Sequence, residues 1–277
     1  MSRYPEGFVS NSMLNVLARS PQEFYQRFVQ CSWTEEEPGK ALMLGSALHC
    51  KVLEPERFSD RYILAPRVDG RTKEGKAARA ALAEAAGDRT IIDEETHELV
   101  SAMARAIIDH DDAADLLAPG HGGIVERPVL WGWNDISCAG TPDLVCLDRR
   151  LIVDVKTTQD ASPDAFATSL VKFGYHRQAA YYCRGVEEVY GETCRFVFVV
   201  VCSNRPHDVA VYELSMSAID QGQAEVMSLL DEYKRRMDSR DWKSAWSRGV
   251  IELSLPKWYR PSFYGDDGRG QMGFGAT

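Results

Sequence analysis

The chain has 277 residues, 44% of them hydrophobic and 26% charged, with a formal net charge of −9. That length can bury a real core in one large domain or two small ones, so folding needs no disulfide or metal staple. The negative charge excludes a protein that coats nucleic acid by charge alone, yet leaves room for a local basic groove around an acidic metal site.

In chain order, "SMLNVLARSPQEFYQRFV" has helical periodicity, interrupted at Ser20-Pro21, where proline suits the first turn of a second helix. "ALMLGSALHCKVLEPERF" predicts a helix ending near Glu54-Pro55. "APRVDGRTKEGKAARAALAEAAG" opens as a basic loop and continues as an alanine-rich helix. "DEETHELVSAMARAIIDH" predicts an amphipathic helix with acids at its start, as the helix dipole favours. After "APGHGG" the pattern changes to three strands, "IVERPVLWGW", "ISCAGTPDLVCLD" and "LIVDVKTT". Two helices follow, one from about Ser162 and one from Tyr175 to Tyr190, with Gly174 and Gly191 as stops. "RFVFVVVCS" and "DVAVYELS" flank "NRPH" as a hairpin, and "AIDQGQAEVMSLLDEYKRRM" is a long amphipathic helix. The Gly-rich end reads as loosely ordered. This order predicts an α+β fold, a mixed sheet flanked by helices. It divides into an N-terminal helical part (1–120), a core (121–240) and a tail (241–277).

None of the seven cysteines forms a C-x-x-C pair, so no zinc ribbon or iron–sulfur cluster is expected. Free, buried thiols in a reducing cytoplasm fit the count. The N-terminus lacks the apolar core of a signal peptide, and no window approaches a membrane span.

The strand "LIVDVKTT" carries Asp154 and Lys156 inside the most apolar run of the chain. Side chains alternate along a strand, so Ile152, Asp154 and Lys156 share one face and Leu151, Val153 and Val155 the other. The second face must be packed; the first is expected to open onto something polar. If Asp148-Arg149 is a two-residue turn, Asp143 lies directly across from Asp154, with Cβ atoms about 4.5–5.5 Å apart. Two such carboxylates repel unless one is protonated or a cation lies between them, and a hard divalent cation accepts oxygen ligands. A buried Asp–Lys ion pair beside an exposed turn aspartate is the plainer alternative. The main-chain carbonyl of Val155 offers a further ligand. His49 and Gly45 lie one turn apart on one helix face, and Gln178 and Tyr182 on another. Glu126 borders the first strand.

The ordered set G-x-x-x-H, E, P-D, D-V-K and Q-x-x-x-Y resembles the PD-(D/E)XK nuclease superfamily, in its RecB-like branch. "LGSALHCKVLEPERF", "GRTKEGKA", "GTPDLV", "DVKTTQDASPDAF" and "GYHRQAAYY" look similar to RecE-type nuclease domains, over roughly residues 8 to 215. The resemblance implies a restriction-endonuclease-like core. It makes Asp143, Asp154 and His49 metal ligands and allows Glu126 to reach the metal through water. Lys156 would orient the attacking water and offset transition-state charge. Gln178 and Tyr182 would support the site and meet the DNA backbone. It further implies a Mg²⁺-dependent exonuclease (Mn²⁺ is compatible with an imidazole ligand) acting 5′→3′ on double-stranded DNA ends. Recombination with a RecT-type annealing partner, a ring-shaped homo-oligomer and a phage or prophage setting in the bacterial cytoplasm go with it. A structure-specific or nicking endonuclease and a non-catalytic DNA-binding module are the alternatives. Arg67, Arg71, Lys73, Lys76 and Arg79 concentrate positive charge in an acidic chain and are expected to follow a phosphate backbone.

Overall fold

A computed structural model describes residues 4–34, 39–66, 72–118, 123–247 and 249–256. A short strand, β1 (Val9–Ser10), leads into α1 (Asn11–Arg19), which Ser10 caps by accepting from the Met13 N–H. Ser20 caps α2 (Pro21–Phe24) in the same way, and a π-helical turn over Tyr25–Val29 continues it. Helix α3 (Lys40–Leu53) stops before Pro55, as expected. A 3-10 turn then opens α4 (Phe58–Arg61), followed by β2 (Tyr62–Leu64). Thr72 caps α5 (Lys73–Ala86), and β3 (Thr90–Ile92) returns to pair in parallel with β2. Asp93 caps α6 (Glu94–Ile108), and α7 (Asp111–Leu117) follows.

The next stretch departs from the expected three strands. "IVERPVLWGW" breaks into β4 (Ile124–Val125) and β5 (Val129–Trp133), and "ISCAGTPDLVCLD" into β6 (Ile136–Gly140) and β7 (Leu144–Cys146). The causes are local. Pro128 and Pro142 have no N–H to give a ladder, and Glu126 has φ 46°, a conformation that ends a strand. Only β8 (Leu151–Thr158) runs unbroken. Then come α8 (Pro163–Lys172), α9 (Tyr175–Tyr190), the antiparallel hairpin β9 (Arg195–Cys202) and β10 (Val209–Glu213), and α10 (Met216–Ser239). Gly174 enters α9 at φ 67°, where a side chain would be strained.

The breaks send neighbouring segments to different sheets. The main sheet has the order β10-β9-β8-β7-β4, with β8 and β9 parallel and the other pairs antiparallel. A second sheet, β1-β6-β5, stands apart from it. Glu126 and Asp143 lie at the two crossings between these sheets, and the Glu126 N–H donates to the Asp143 carbonyl at 3.0 Å. The β7–β8 register pairs Leu144 with Val153, which carries Asp143 to the position across from Asp154, as read from the sequence. An Arg150 N–H to Leu147 carbonyl bond of 3.0 Å closes the turn around Asp148 and Arg149.

The mixed sheet flanked by helices is the expected fold class, but both faces of β8 are covered. Leu151, Val153 and Val155 pack with Leu48 of α3, Met103 and Ile107 of α6 and Leu116 of α7. Ile152, on the face expected to open onto polar surroundings, packs with Phe166 of α8 and Ala179 and Val186 of α9. A third core joins β1, β5 and β6 to α1, α9 and α10 through Leu14, Trp131, Trp133, Tyr181 and Val226. Gly222 of α10 lies so close to α9 that an added Cβ would sit 2.3 Å from the His176 carbonyl.

Met1–Trp242 is one compact unit, and Lys243–Thr277 is a separate one that contains a single 3-10 turn, Ala245–Ser247, among its described residues. The Gly-rich end lies outside the described residues, as do Arg67 and Arg71. All seven cysteines are free; Cys31 is exposed, against the expectation of burial. Among the described residues no helix is long and apolar enough to cross a membrane.

Candidate metal centre

The expected side chains come from three elements and two crossings: His49 from α3, Asp154 and Lys156 from β8, Gln178 and Tyr182 from α9, and Glu126 and Asp143 from the segments between the sheets. His49 comes from α3, whose Leu48 is anchored in the core below the sheet. Its Nε2 donates to the Val155 carbonyl at 2.6 Å, and its Nδ1 lies 3.4 Å from Asp143 Oδ2 and 4.0 Å from Glu126 Oε1. Gly45, one turn earlier on α3, brings its backbone near Thr157; a Cβ there would meet Thr157 Oγ1 at an ordinary 3.9 Å. Asp143 is buried and accepts from the Val155 N–H at 2.8 Å, so both the amide and the carbonyl of Val155 face this cluster.

Among the described residues, His49, Glu126 and Asp143 form the one trio of donor side chains whose ligand atoms all lie within 4.8 Å of one another. Glu126, which the resemblance allows to reach a metal through water, stands beside the other two. Asp154, expected as a ligand beside Asp143, lies outside this trio at 1% exposure because its oxygens are turned elsewhere: Oδ1 forms an ion pair with Lys156 Nζ, and Oδ2 accepts from Gln178 Nε2 at 3.2 Å. Lys156 also stacks over the Tyr175 ring, 4.8 Å from its centroid. Tyr182, one turn after Gln178 on α9, closes the wall; its ring takes the space that a side chain at Gly140 would fill.

The protonation states follow from these neighbours. Burial pulls the His49 imidazole down, but the Asp143 carboxylate overrides it and raises the pKa to about 9. Burial alone would lift Asp143; His49 and Lys156 hold it below the usual carboxylate range. Asp154 moves up, through burial first and the Asp143 charge beside it, against the pull of Lys156. Burial works against the Lys156 ammonium, but Asp154 and Asp143 raise its pKa, so it stays charged at neutral pH. Tyr182 moves up through burial and the Asp154 charge.

A hard divalent cation fits this donor set. Two carboxylates and an imidazole converge, a main-chain carbonyl orients the imidazole from its Nε2 side, and the Asp143 carboxylate already favours a positive charge on His49. The cluster opens into a cleft of about 460 Å³, lined also by Ser46, Arg61, Tyr62 and Thr141. Sequence reading missed these four. Arg61 is held there by the buried Glu54, which pairs with both Arg57 and Arg61, the latter at 2.6 Å. Lys73, Lys76 and Arg79 are exposed on α5, outside the cleft lining.

Residues 10–245 match the model of a PDDEXK-like domain of unknown function (DUF3799). No curated protein is a significant relative in sequence. Among solved structures, a candidate exonuclease from Eubacterium rectale is 13% identical and superimposes with a TM-score of 0.57 over 91% of each chain, a likeness of fold. A phage-related exonuclease from Haemophilus somnus 129PT is 15% identical, with a TM-score of 0.32 over 71% of this chain and 95% of its own.

Proposed function

The chain belongs to the PDDEXK-like family DUF3799, and from that footing we propose that it is a metal-dependent deoxyribonuclease that degrades linear duplex DNA from its ends. The observation that carries this reading is the convergence of His49, Glu126, Asp143 and the Val155 carbonyl beside a buried Asp154–Lys156–Gln178 chain. A binding module has no need to bury two acids and an ammonium together, at a cost of several kcal/mol per ion before pairing.

When bound, a divalent ion supplies Lewis acidity toward the phosphoryl oxygens and a more acidic water. His49, Glu126 and Asp143 would hold it, with Mg²⁺ or Mn²⁺ compatible with the donors. Lys156 acts as a fixed positive charge, since its neighbours hold the proton on Nζ. Its position favours the negative charge that develops at phosphorus. Asp154 aims Lys156, and Gln178 fixes Asp154 in turn. Tyr182 and Arg61 line the approach, where they meet the DNA backbone.

The finer reading is a RecE-like one: 5′→3′ resection that leaves a single strand for a RecT-type annealing partner, in a phage or prophage recombination system of the bacterial cytoplasm. The motifs that resemble RecE-type domains support this finer reading; the fold shared with the candidate exonuclease from Eubacterium rectale supports only the nuclease fold. The test is cleavage of linear duplex by the purified chain. Activity should need Mg²⁺ or Mn²⁺, vanish with chelator and fall by at least about a hundredfold in Asp143→Asn, the loss expected when one preorganised charge is removed. Near-normal turnover by Asp143→Asn, or cleavage in chelator, refutes the assignment.

A further inference from the structure

Beyond the metal cluster, a second groove is walled by Tyr175, the ring over which Lys156 lies. It encloses about 350 Å³ between the end of β8 and helix α8, within the size range of ligand pockets, about 300–1,000 Å³. Thr157, Thr158, Ser169, Lys172, Phe173 and Tyr175 line it. We infer that this groove binds one unpaired nucleotide of the strand being cut, with its base stacked on Phe173 and its phosphate near Lys172. The inference rests on the nuclease reading and adds a subsite to it.

Phe173 is 50% exposed and belongs to none of the apolar cores, whereas Phe166, in the same groove, is buried and stacked on Tyr212. An exposed ring fixed between a helix end and the Gly174 turn offers a flat apolar face to solvent. Cations flank it: Lys172 Nζ lies 5.2 Å from the Phe173 centroid, and Lys156 Nζ lies over Tyr175, whose ring is 5.5 Å from that of Phe173. Lys172 has no carboxylate partner among the described residues. Aromatic faces interleaved with cations are what single strands bind, because every base has a π-face and every link a phosphate. Asp160, which accepts from the Ser162 N–H at 2.8 Å, also lines the groove, and its charge disfavours a phosphate beside it, which leaves Lys172 as the phosphate partner.

The groove is continuous with the site chemistry. Tyr175 forms its wall and is also the ring against Lys156, which pairs with Asp154. A nucleotide held there is a near neighbour of the scissile phosphate. A base inside a duplex has both faces covered by its neighbours. The ring can engage one only at a frayed end or on a single strand.

The experiment uses the full chain in an Asp154→Asn background with Mg²⁺ and single-stranded oligonucleotides containing 2-aminopurine. A base stacked on Phe173 changes its fluorescence. That change should disappear in Phe173→Ala and persist in Phe173→Trp. Affinity should drop about fivefold to a hundredfold in Phe173→Ala, the range of one base–aromatic stack. An abasic position should remove the difference between the two proteins. Equal fluorescence change and affinity in Phe173→Ala overturn the inference. So does a Phe173→Ala protein altered only in oligomeric state by light scattering, which makes the ring a protein contact. Wild-type protein that cleaves no DNA while its 2-aminopurine signal follows Phe173 defeats the nuclease reading and leaves the subsite standing.

Discussion

Lys156 is the residue on which chemistry and architecture meet. Its ammonium is paired with Asp154, stacked on Tyr175 and kept protonated, so it contributes charge and not a base. Its effect belongs to the transition state. Lys156→Ala should therefore lower kcat by about 10²–10³ while leaving DNA and Mg²⁺ affinity near wild type. Single-turnover rates set beside equilibrium binding check this; a defect confined to DNA affinity makes Lys156 a phosphate clamp. At this scale much was legible. Alternation along a strand and one turn were enough to set Asp143 across from Asp154, and the D-x-K spacing placed Lys156. Glu126 was legible only through the family resemblance, not from its own neighbourhood. It reaches His49 only because its backbone turns to φ 46° at a sheet crossing, and no periodicity encodes a single left-handed residue. Arg61 depends on a pairing with Glu54 seven residues back, whose burial no local pattern announces.

Among the elements, α9 positions the site. It carries Gln178 and Tyr182, and its first turn is clamped from outside. Glu225 of α10 accepts from His176 and from Arg177, each at 2.9 Å, while Arg177 also donates to Asn15 of α1. Burial would lift Glu225, but the hydrogen bonds from Gln221, His176 and Arg177 outweigh it and bring the pKa from 4.5 down to about 2. A carboxylate with a depressed folded pKa stabilises the fold above its unfolded value and loses that contribution as pH falls. The stability gap between wild type and Glu225→Gln should thus be full above pH 4.5 and close as pH falls toward 2. Urea denaturation across that range measures it; a gap independent of pH shows that Glu225 acts through packing alone. The helices were readable because caps and 3.6-residue periodicity are local. The sheet order was not, because the exit of β5 and β6 into a second sheet depends on partners far along the chain, such as β1. The buried Ile152 face has the same origin: nothing in "LIVDVKTT" tells of the aromatics on α8 that cover it.

For the whole molecule, the question is what would select the substrate of a nuclease whose proposed contacts, metal ligands, an ammonium and a stacking ring, read no base sequence. The chain carries a net charge of −9, so long-range attraction to DNA is weak. Local positive charge must do the guiding. Lys73, Lys76 and Arg79 are exposed on α5, which leads into β3, the partner of β2, and β2 starts with the cleft residue Tyr62. If this surface meets DNA, it should hold any sequence alike. Selectivity then has to come from access. A ring-shaped homo-oligomer whose channel admits duplex only at an end would supply it, and would retain the enzyme between cuts. Light scattering should accordingly give a mass that is a multiple of 31.0 kDa. Linear plasmid should be degraded with Mg²⁺ regardless of sequence, and the covalently closed form of the same plasmid should survive. A monomer with end-dependent activity removes the ring and keeps the exonuclease. Rapid internal fragmentation of the closed circle removes the exonuclease and makes the same cleft that of an endonuclease, since a site that cuts without an end needs no channel to find one.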